Sequence, residues 1–547
     1  MPELRPWRAA RPHVVRVADA VRPRLARAAG IVGPRLARAT AAAKPRVARL
    51  TQAAKPQLAR ITKTGPTIRT WRYTAGAATA GLALAAGVVT AAGPWDSTGQ
   101  RTAERDRAAA LHHTGGADHG RRTGSSDTSD TAAGAPRPAP SAPSVLSGLG
   151  GPTGTVKSAH TTTALAAVLD PLLRDPALGT LHTASVVDVT TGARLYGTGS
   201  GQALTPASTT KIATAVAALT AMGPDHRLTT RAALEPDTKE LVLVGGGDPT
   251  LTARKDADGW ASLRALAVSA AKALKARGLT DVTLSYDTTL FTGPQIHPIG
   301  VDPNIAPVTA LSADQGRTDD STSGTAYRVA DPAADATRQF ADFLKAEGIT
   351  TSAPGPSKAT TRAETLATVS SPPLSDLVER MLTNSDNDIA EALARQTAVA
   401  TGGRADFAGG GRAVHAQLTK LGLPMTGAVF KDGSGLDRGD RLTADLLTAL
   451  LVKAADPDRP DLRPALTGLP VAGFTGTLSA RYTEGAAGVV RAKTGTLTGV
   501  NALAGTVVDR DGHLLAFALL ASGTTNRDTA QSALDRTATA LANCGCG

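Results

Sequence analysis

Residues 204–222 read LTPASTTKIATAVAALTAM, and the place of this stretch in the chain decides the fold. Thr205-Pro206 supplies an N-cap and a helix start, which puts Ser208 in the first turn. The Ala-rich run that follows has no polar face and reads as a buried helix. Ser208 and Lys211 are three residues apart and therefore share a helical face. A serine hydroxyl is a poor nucleophile until a nearby base takes its proton. A lysine can be that base where its surroundings suppress the charged form, and a helix N-terminus favours developing negative charge. A Ser-x-x-Lys pair alone arises by chance about once in a chain this long, so its meaning depends on what surrounds it.

Two more polar clusters lie downstream. Residues 374–400 are helical in period with a break at 384–388, and the break holds Ser385-Asp386-Asn387. Alone this is a capping turn, yet a loop between helices also pushes short polar side chains into a cleft. Lys493-Thr494-Gly495-Thr496 sits on a strand. A lysine beside a hydroxyl can bind a carboxylate, and glycine lets another backbone come close; a lone lysine on an edge strand that discourages aggregation looks the same. Around these clusters, residues 161–173 are helical in period, and 183–189 and 194–197 form a hairpin about Thr190-Thr191-Gly192. Residues 488–493, 499–508 and 513–521 are strands, the last two joined by Arg510-Asp511-Gly512, and 526–542 is a closing helix. This order implies an α/β (α+β) sandwich whose one antiparallel sheet carries the first and last helices on the same face.

Charge is unevenly spread. The formal net charge is +12 over 547 residues, but residues 1–72 hold 17 Lys and Arg against Glu3 and Asp19. That tail carries +15 and leaves about −3 for the rest, an ordinary globular balance that argues against a nucleic-acid-binding body. Within the tail, Pro12, Pro23, Pro34, Pro45 and Pro56 recur every 11 residues, about three helical turns. It reads either as a cationic segment on anionic membrane lipid or as a solvated low-complexity tail. Residues 73–93 are uncharged and about long enough to span a bilayer. The basic excess before them puts the N-terminus in the cytoplasm and the remainder outside; the alternative is a cleaved signal peptide, which exports the same body. Residues 94–157 are rich in Gly, Ser, Thr and Pro and read as a spacer. Cys544 and Cys546 are too close in sequence to be a disulfide framework and read as a frayed end.

Together, Ser208-x-x-Lys211, Ser385-x-Asn387 and Lys493-Thr494-Gly495 stand in the order of helix start, inter-helix loop and sheet strand. In this the chain resembles the penicillin-binding protein and serine β-lactamase superfamily. The step of 177 residues from Ser208 to Ser385 makes room for an extra domain. This spacing, with Leu241-Val-Leu-Val-Gly-Gly-Gly-Asp-Pro-Thr-Leu251, Ser371-Pro-Pro-Leu-Ser375, Asp432-Gly-Ser-Gly-Leu-Asp-Arg438 and Gly473-Phe-Thr-Gly-Thr-Leu478, resembles the class C low-molecular-mass penicillin-binding proteins. The resemblance covers about residues 160–540. It divides the body into a catalytic domain at 158–235 and 366–547 and an inserted region at 236–365.

The resemblance implies a serine D-alanyl-D-alanine carboxypeptidase, with endopeptidase work possible, that needs no cofactor and no metal. Ser208 is the implied nucleophile, Lys211 its base and Ser385 the proton relay. Asn387 orients the peptide. Lys493 and Thr494, with Gly495 and Thr496, bind the terminal carboxylate and the substrate strand, and the N–H groups of Ser208 and Thr496 form an oxyanion hole. Ser434, Arg438 and Asp302 are the implied holders of a diaminopimelate end. The implied partners are peptidoglycan stem peptides and β-lactams, and residues 1–93 imply membrane lipid. A serine β-lactamase is the first rival, disfavoured by the inserted region and by the lack of an evident Glu-x-x-Leu-Asn motif. A non-catalytic penicillin-sensing or wall-binding receptor is the second, disfavoured by the intact clusters.

Overall fold

The computed structural model describes residues 162–482 and 485–545. The basic tail, the uncharged stretch at 73–93 and the spacer lie outside the described residues. Among those described, no helix is long and apolar enough to cross a membrane.

The chain opens with helix α1 (Thr162–Leu173) and strands β1 (Leu181–Asp188) and β2 (Arg194–Thr198), and helix α2 (Thr210–Met222) follows. It closes with β9 (Val490–Leu497), β10 (Val500–Val508), β11 (Leu514–Ser522) and helix α10 (Arg527–Asn543). The strands form one antiparallel sheet in the order β2-β1-β11-β10-β9, so β9 is an edge. The two-residue period of a strand sorts its side chains into two cores. Leu515, Phe517 and Leu519 pack with Leu165 and Leu169 of α1 and Leu534 and Leu541 of α10, so the first and last helices share a face. Cys544 is buried in the same core, so the chain is not frayed at that point. On the other face Ala502, Ala504, Ala516 and Ala518 meet Ile212 and Val216 of α2. These small side chains let the helix at Ala444–Ala455, which packs on β1, β10 and β11, lie close to the sheet.

Between the two halves runs a second sheet. Its strands are β3 (Thr229–Leu234), β4 (Glu240–Val244), β5 (Asp281–Asp287), β6 (Thr350–Thr351), β7 (Gly355–Pro356) and β8 (Glu364–Ser370). The order is β6-β5-β4-β3-β8, with β7 beside β5. Helices α3 (Leu263–Lys275) and α4 (Pro332–Ala346) pack on it around Leu266, Phe340 and Leu344. The expected boundaries at 236 and 365 fall inside this sheet. β3 and β8 pair with each other, Thr229 opposite Ser370, so the strands that leave and re-enter the catalytic half belong to the insertion.

The remaining helices are α5 (Leu374–Asn384), α6 (Asn387–Ala400), α7 (Phe407–Lys420), α8 (Ala444–Ala455) and the short α9 (Pro464–Thr467). With α2 they form a helical layer whose buried side chains include Leu377, Met381, Leu393 and Leu450.

Candidate active site

Ser208 does not sit in the first turn of α2. It lies in a 3-10 turn, Ala207–Thr209, just before the helix. Thr205 does not cap that turn, because its hydroxyl is bonded to the Arg438 carbonyl. Ala207 is left-handed at φ 47°, which for a side chain with a Cβ costs about 1–2 kcal/mol. Ser385 is left-handed too, at φ 57°, and ends α5. Asp386 then caps α6 by accepting a hydrogen bond from the Ile389 N–H. Ser208 thus stands on a turn that leads into α2, and Ser385 on one between α5 and α6.

Two buried lysines bind them. Lys211 Nζ lies 3.0 Å from Ser208 Oγ, 2.6 Å from Asn387 Oδ1 and 2.6 Å from the Ser434 carbonyl. Lys493 Nζ lies 2.9 Å from Ser385 Oγ and 2.8 Å from its neighbour's Thr494 carbonyl. Both lysines are 0% exposed. Burial lowers Lys211 from 10.5 to about 8, against the upward pull of Asp432, Glu391, Asp386 and Asp440. Burial also drives Lys493 well below its ordinary value, helped by the like charges of Lys211 and Arg481. Gly495 lets β9 approach the nucleophile's turn: a Cβ there would stand 2.6 Å from the Pro206 carbonyl.

A cleft of about 490 Å³ opens over these groups, lined by Ser208, Ser385, Asn387, Thr494 and Thr496 among others. The three clusters therefore meet at one surface. Ser434, Arg438 and Asp302 do not line it. Ser434 is 0% exposed, and its hydroxyl donates to Asp432 Oδ2. The Arg438 guanidinium donates to the Thr498 carbonyl. Asp302 accepts from the backbone and side-chain nitrogens of Asn304, closing a turn.

Sequence reasoning missed much of the wall. Thr477 touches Thr494, hydroxyl to hydroxyl at 3.0 Å, and Arg481, Arg527 and Gln531 line the same end. The signal was present in Gly473-Phe-Thr-Gly-Thr-Leu478, but no chemistry attached to it. From the insertion, Asn304, Arg317, Arg328 and residues 323–325 form the facing wall. They grip the loop at 385–388. Gln315 donates to Asp386 at 2.7 Å, the Asn304 carbonyl accepts from Asn387 at 2.9 Å, and Asp388 accepts from the Ala306 N–H and from Arg328. Burial, with Asp386 close by, raises Asp388 to about 6.

His297, Glu391 and Asp432 cluster beneath the cleft with metal-ligand spacing. Their oxygens are already taken by N–H donors of residues 433–437, which suits a structural network better than a cation.

A paired lysine–hydroxyl arrangement of this kind, one pair per side of a cleft, is suited to acyl transfer: one side generates an alkoxide, the other handles a proton and an anion. Comparison with known proteins agrees. A carboxypeptidase DacB from Mycolicibacterium smegmatis is 39% identical over 398 residues, 70% of this chain and 85% of that protein. A D-alanyl-D-alanine carboxypeptidase from an Actinomadura species is 32% identical over 442 residues, 65% of this chain and 80% of that one. The fold matches the crystal structure of penicillin binding protein 4 (dacB) from Haemophilus influenzae with a TM-score of 0.57 at 21% identity, covering 70% of this chain and 98% of that chain. The profile of one family matches residues 165–325 and 315–542, which span both sheets and both lysine–serine pairs. The chain belongs to the D-Ala-D-Ala carboxypeptidase 3 (S13) family.

Proposed function

We propose that the chain removes the terminal D-Ala from peptidoglycan stem peptides through an ester on Ser208. The observation that carries this is the contact of a neutralisable, fully buried Lys211 with Ser208 at 3.0 Å. Lys211 takes the hydroxyl proton as Ser208 Oγ bonds to the carbonyl carbon of the penultimate D-Ala. The carbonyl oxygen becomes an oxyanion, held by the N–H groups of Ser208 and Thr496; one such donor is worth about 3 kcal/mol of barrier. When the tetrahedral species collapses, the peptide C–N bond breaks. The proton passes to the leaving amine through Ser385, which Lys493 holds. Water then hydrolyses the ester and returns Ser208 to its starting state.

Lys493 and Thr494 receive the terminal carboxylate. Because β9 is an edge strand, the peptide can add to it as a further strand, with its backbone paired to residues 493–496. A longer leaving group seated beside Arg481 and Gln531, which line the cleft, fits endopeptidase as well as carboxypeptidase work. β-Lactams acylate the same serine in this reading; penicillin binding protein 4 (dacB) from Haemophilus influenzae has been crystallised in complex with one.

Residues 73–93 anchor the chain in the membrane in this reading, with the basic tail on the cytoplasmic side and the catalytic body outside. Supporting it are the length of the uncharged stretch and the 17 basic residues before it.

The test is D-Ala release from a diacyl-D-Ala-D-Ala peptide. The wild-type chain should release D-Ala and Ser208→Ala should not, with both equally folded by circular dichroism. Release by Ser208→Ala at the wild-type rate refutes the nucleophile.

A further inference from the structure

Lys211 is held by three acceptors, and only two belong to the motifs that point to catalysis. The third is the backbone carbonyl of Ser434, at 2.6 Å. What aims that carbonyl lies out of reach of the cleft. Glu391 is one helical turn beyond Asn387 on α6, so the two share a face. Asn387 reaches Lys211 directly, and Glu391 accepts from the backbone N–H groups of Gly433 at 3.1 Å and Ser434 at 2.9 Å. Asp432 accepts from the N–H groups of Ser434, Gly435 and Asp437 and from the Ser434 hydroxyl. His297, from the insertion, meets Asp432 Oδ2 through Nε2 at 3.0 Å. Its Nδ1 accepts from the Ile299 N–H, so the neutral ring carries its proton on Nε2 and donates to Asp432. Phe407 stacks edge-on to the ring at 5.0 Å.

Packing leaves the loop no slack. Gly435 lies against the nucleophile's own turn, where a Cβ would stand 2.0 Å from the Ala207 carbonyl. Gly433 lies against α6, where a Cβ would stand 2.6 Å from the Ala390 carbonyl. Side chains of His297, Glu391 and Asp432 are at most 1% exposed.

We propose that Glu391 and His297 are positioning residues for acylation, Glu391 directly and His297 through Asp432 fixing the Ser434 carbonyl that holds Lys211 against Ser208. The insertion thereby reaches the nucleophile's base through a buried imidazole, beside the Asn304 contact to Asn387. This rests on the acyl-enzyme reading above. The groups facing Lys211 in charge are Asp432, Glu391, Asp386, Asp440 and Lys493. Glu391 is one of the carboxylates that pull Lys211 upward, so removing its charge moves the acid limb of the rate profile to lower pH.

The test uses the full chain and a fluorescent penicillin, with the acylation rate measured per folded site across pH. His297→Leu removes the donor to Asp432 and should slow acylation about ten- to hundredfold, as misplacement by about 1 Å can do. His297→Gln keeps an Nε2–H donor and should recover most of the rate. Glu391→Gln should lower the plateau and shift the acid midpoint downward. A purely structural role would lower the yield of folded protein and leave the rate and midpoint per site unchanged. An unchanged rate in His297→Leu, or equal loss in His297→Leu and His297→Gln, overturns the network while the acyl-enzyme reading stands. A wild-type chain that penicillin does not acylate overturns both.

Discussion

Lys211 is fully buried and sits among four acidic side chains, yet burial outweighs them and brings it to about 8. The sign of the resulting pH dependence follows from its task. Only the neutral amine can take the Ser208 proton, and the ammonium form dominates below about 8. The rate of D-Ala release per enzyme at low substrate should therefore rise with pH along an acid limb centred near pH 8. A limb centred near the ordinary carboxylate range would assign the base to another group. At the same scale the spacing of Ser208 and Lys211 was legible in the sequence, because three residues on a helical path share a face. The environment that tunes the lysine was not, since the burial that lowers it and the opposing pull of residues 386, 391, 432 and 440 come together only in the fold.

At the scale of elements, what matters is how turns and loops abut. The loop at 432–438 was legible as a motif, but the way its side chains face was not. The Ser434 hydroxyl is turned inward by Asp432, and Arg438 is committed to Thr498. No one-dimensional pattern tells which way a loop serine faces. Glu391 did have a signal, its four-residue step from Asn387, but a charged residue in a helix reads as solvated until burial is known. Gly435→Ala should strain the loop at φ 80° and drive it into the Ala207 carbonyl. Penicillin acylation should fall at least about tenfold with a lowered melting temperature; a wild-type rate would show that the loop does not set the nucleophile's turn. Across the cleft, Arg328 and Asp388 form a buried pair, 4% and 9% exposed, that joins the insertion to the loop at 385–388. Removing one partner of such a pair leaves an uncompensated charge and costs about 3–5 kcal/mol. Arg328→Leu should show that loss in urea unfolding, and a loss below about 1 kcal/mol would mean the pair is open to water.

For the whole molecule, the antiparallel sheet with its terminal helices on one face was legible from the strand and helix periods. The second sheet was not, because its strands β3 and β8 lie 130 residues apart in sequence at their nearest ends and pair only in the fold. Phe517 sits between α1 and α10 at 0% exposure; Phe517→Ala should cost about 3–5 kcal/mol in unfolding free energy, and a cost near zero would contradict a single sheet core there. Deleting residues 1–93 should move the chain from the membrane fraction to the soluble one and leave D-Ala release per enzyme unchanged. Loss of activity on deletion would make the tail part of the catalytic unit. All of this converges on one bond between a penicillin and this protein. The most direct measurement is mass spectrometry of the penicillin-treated chain, intact and after digestion. The account predicts a single adduct of the drug's full mass, carried by the peptide that contains Ser208 and missing in Ser208→Ala. No adduct, or one on a different residue, contradicts it.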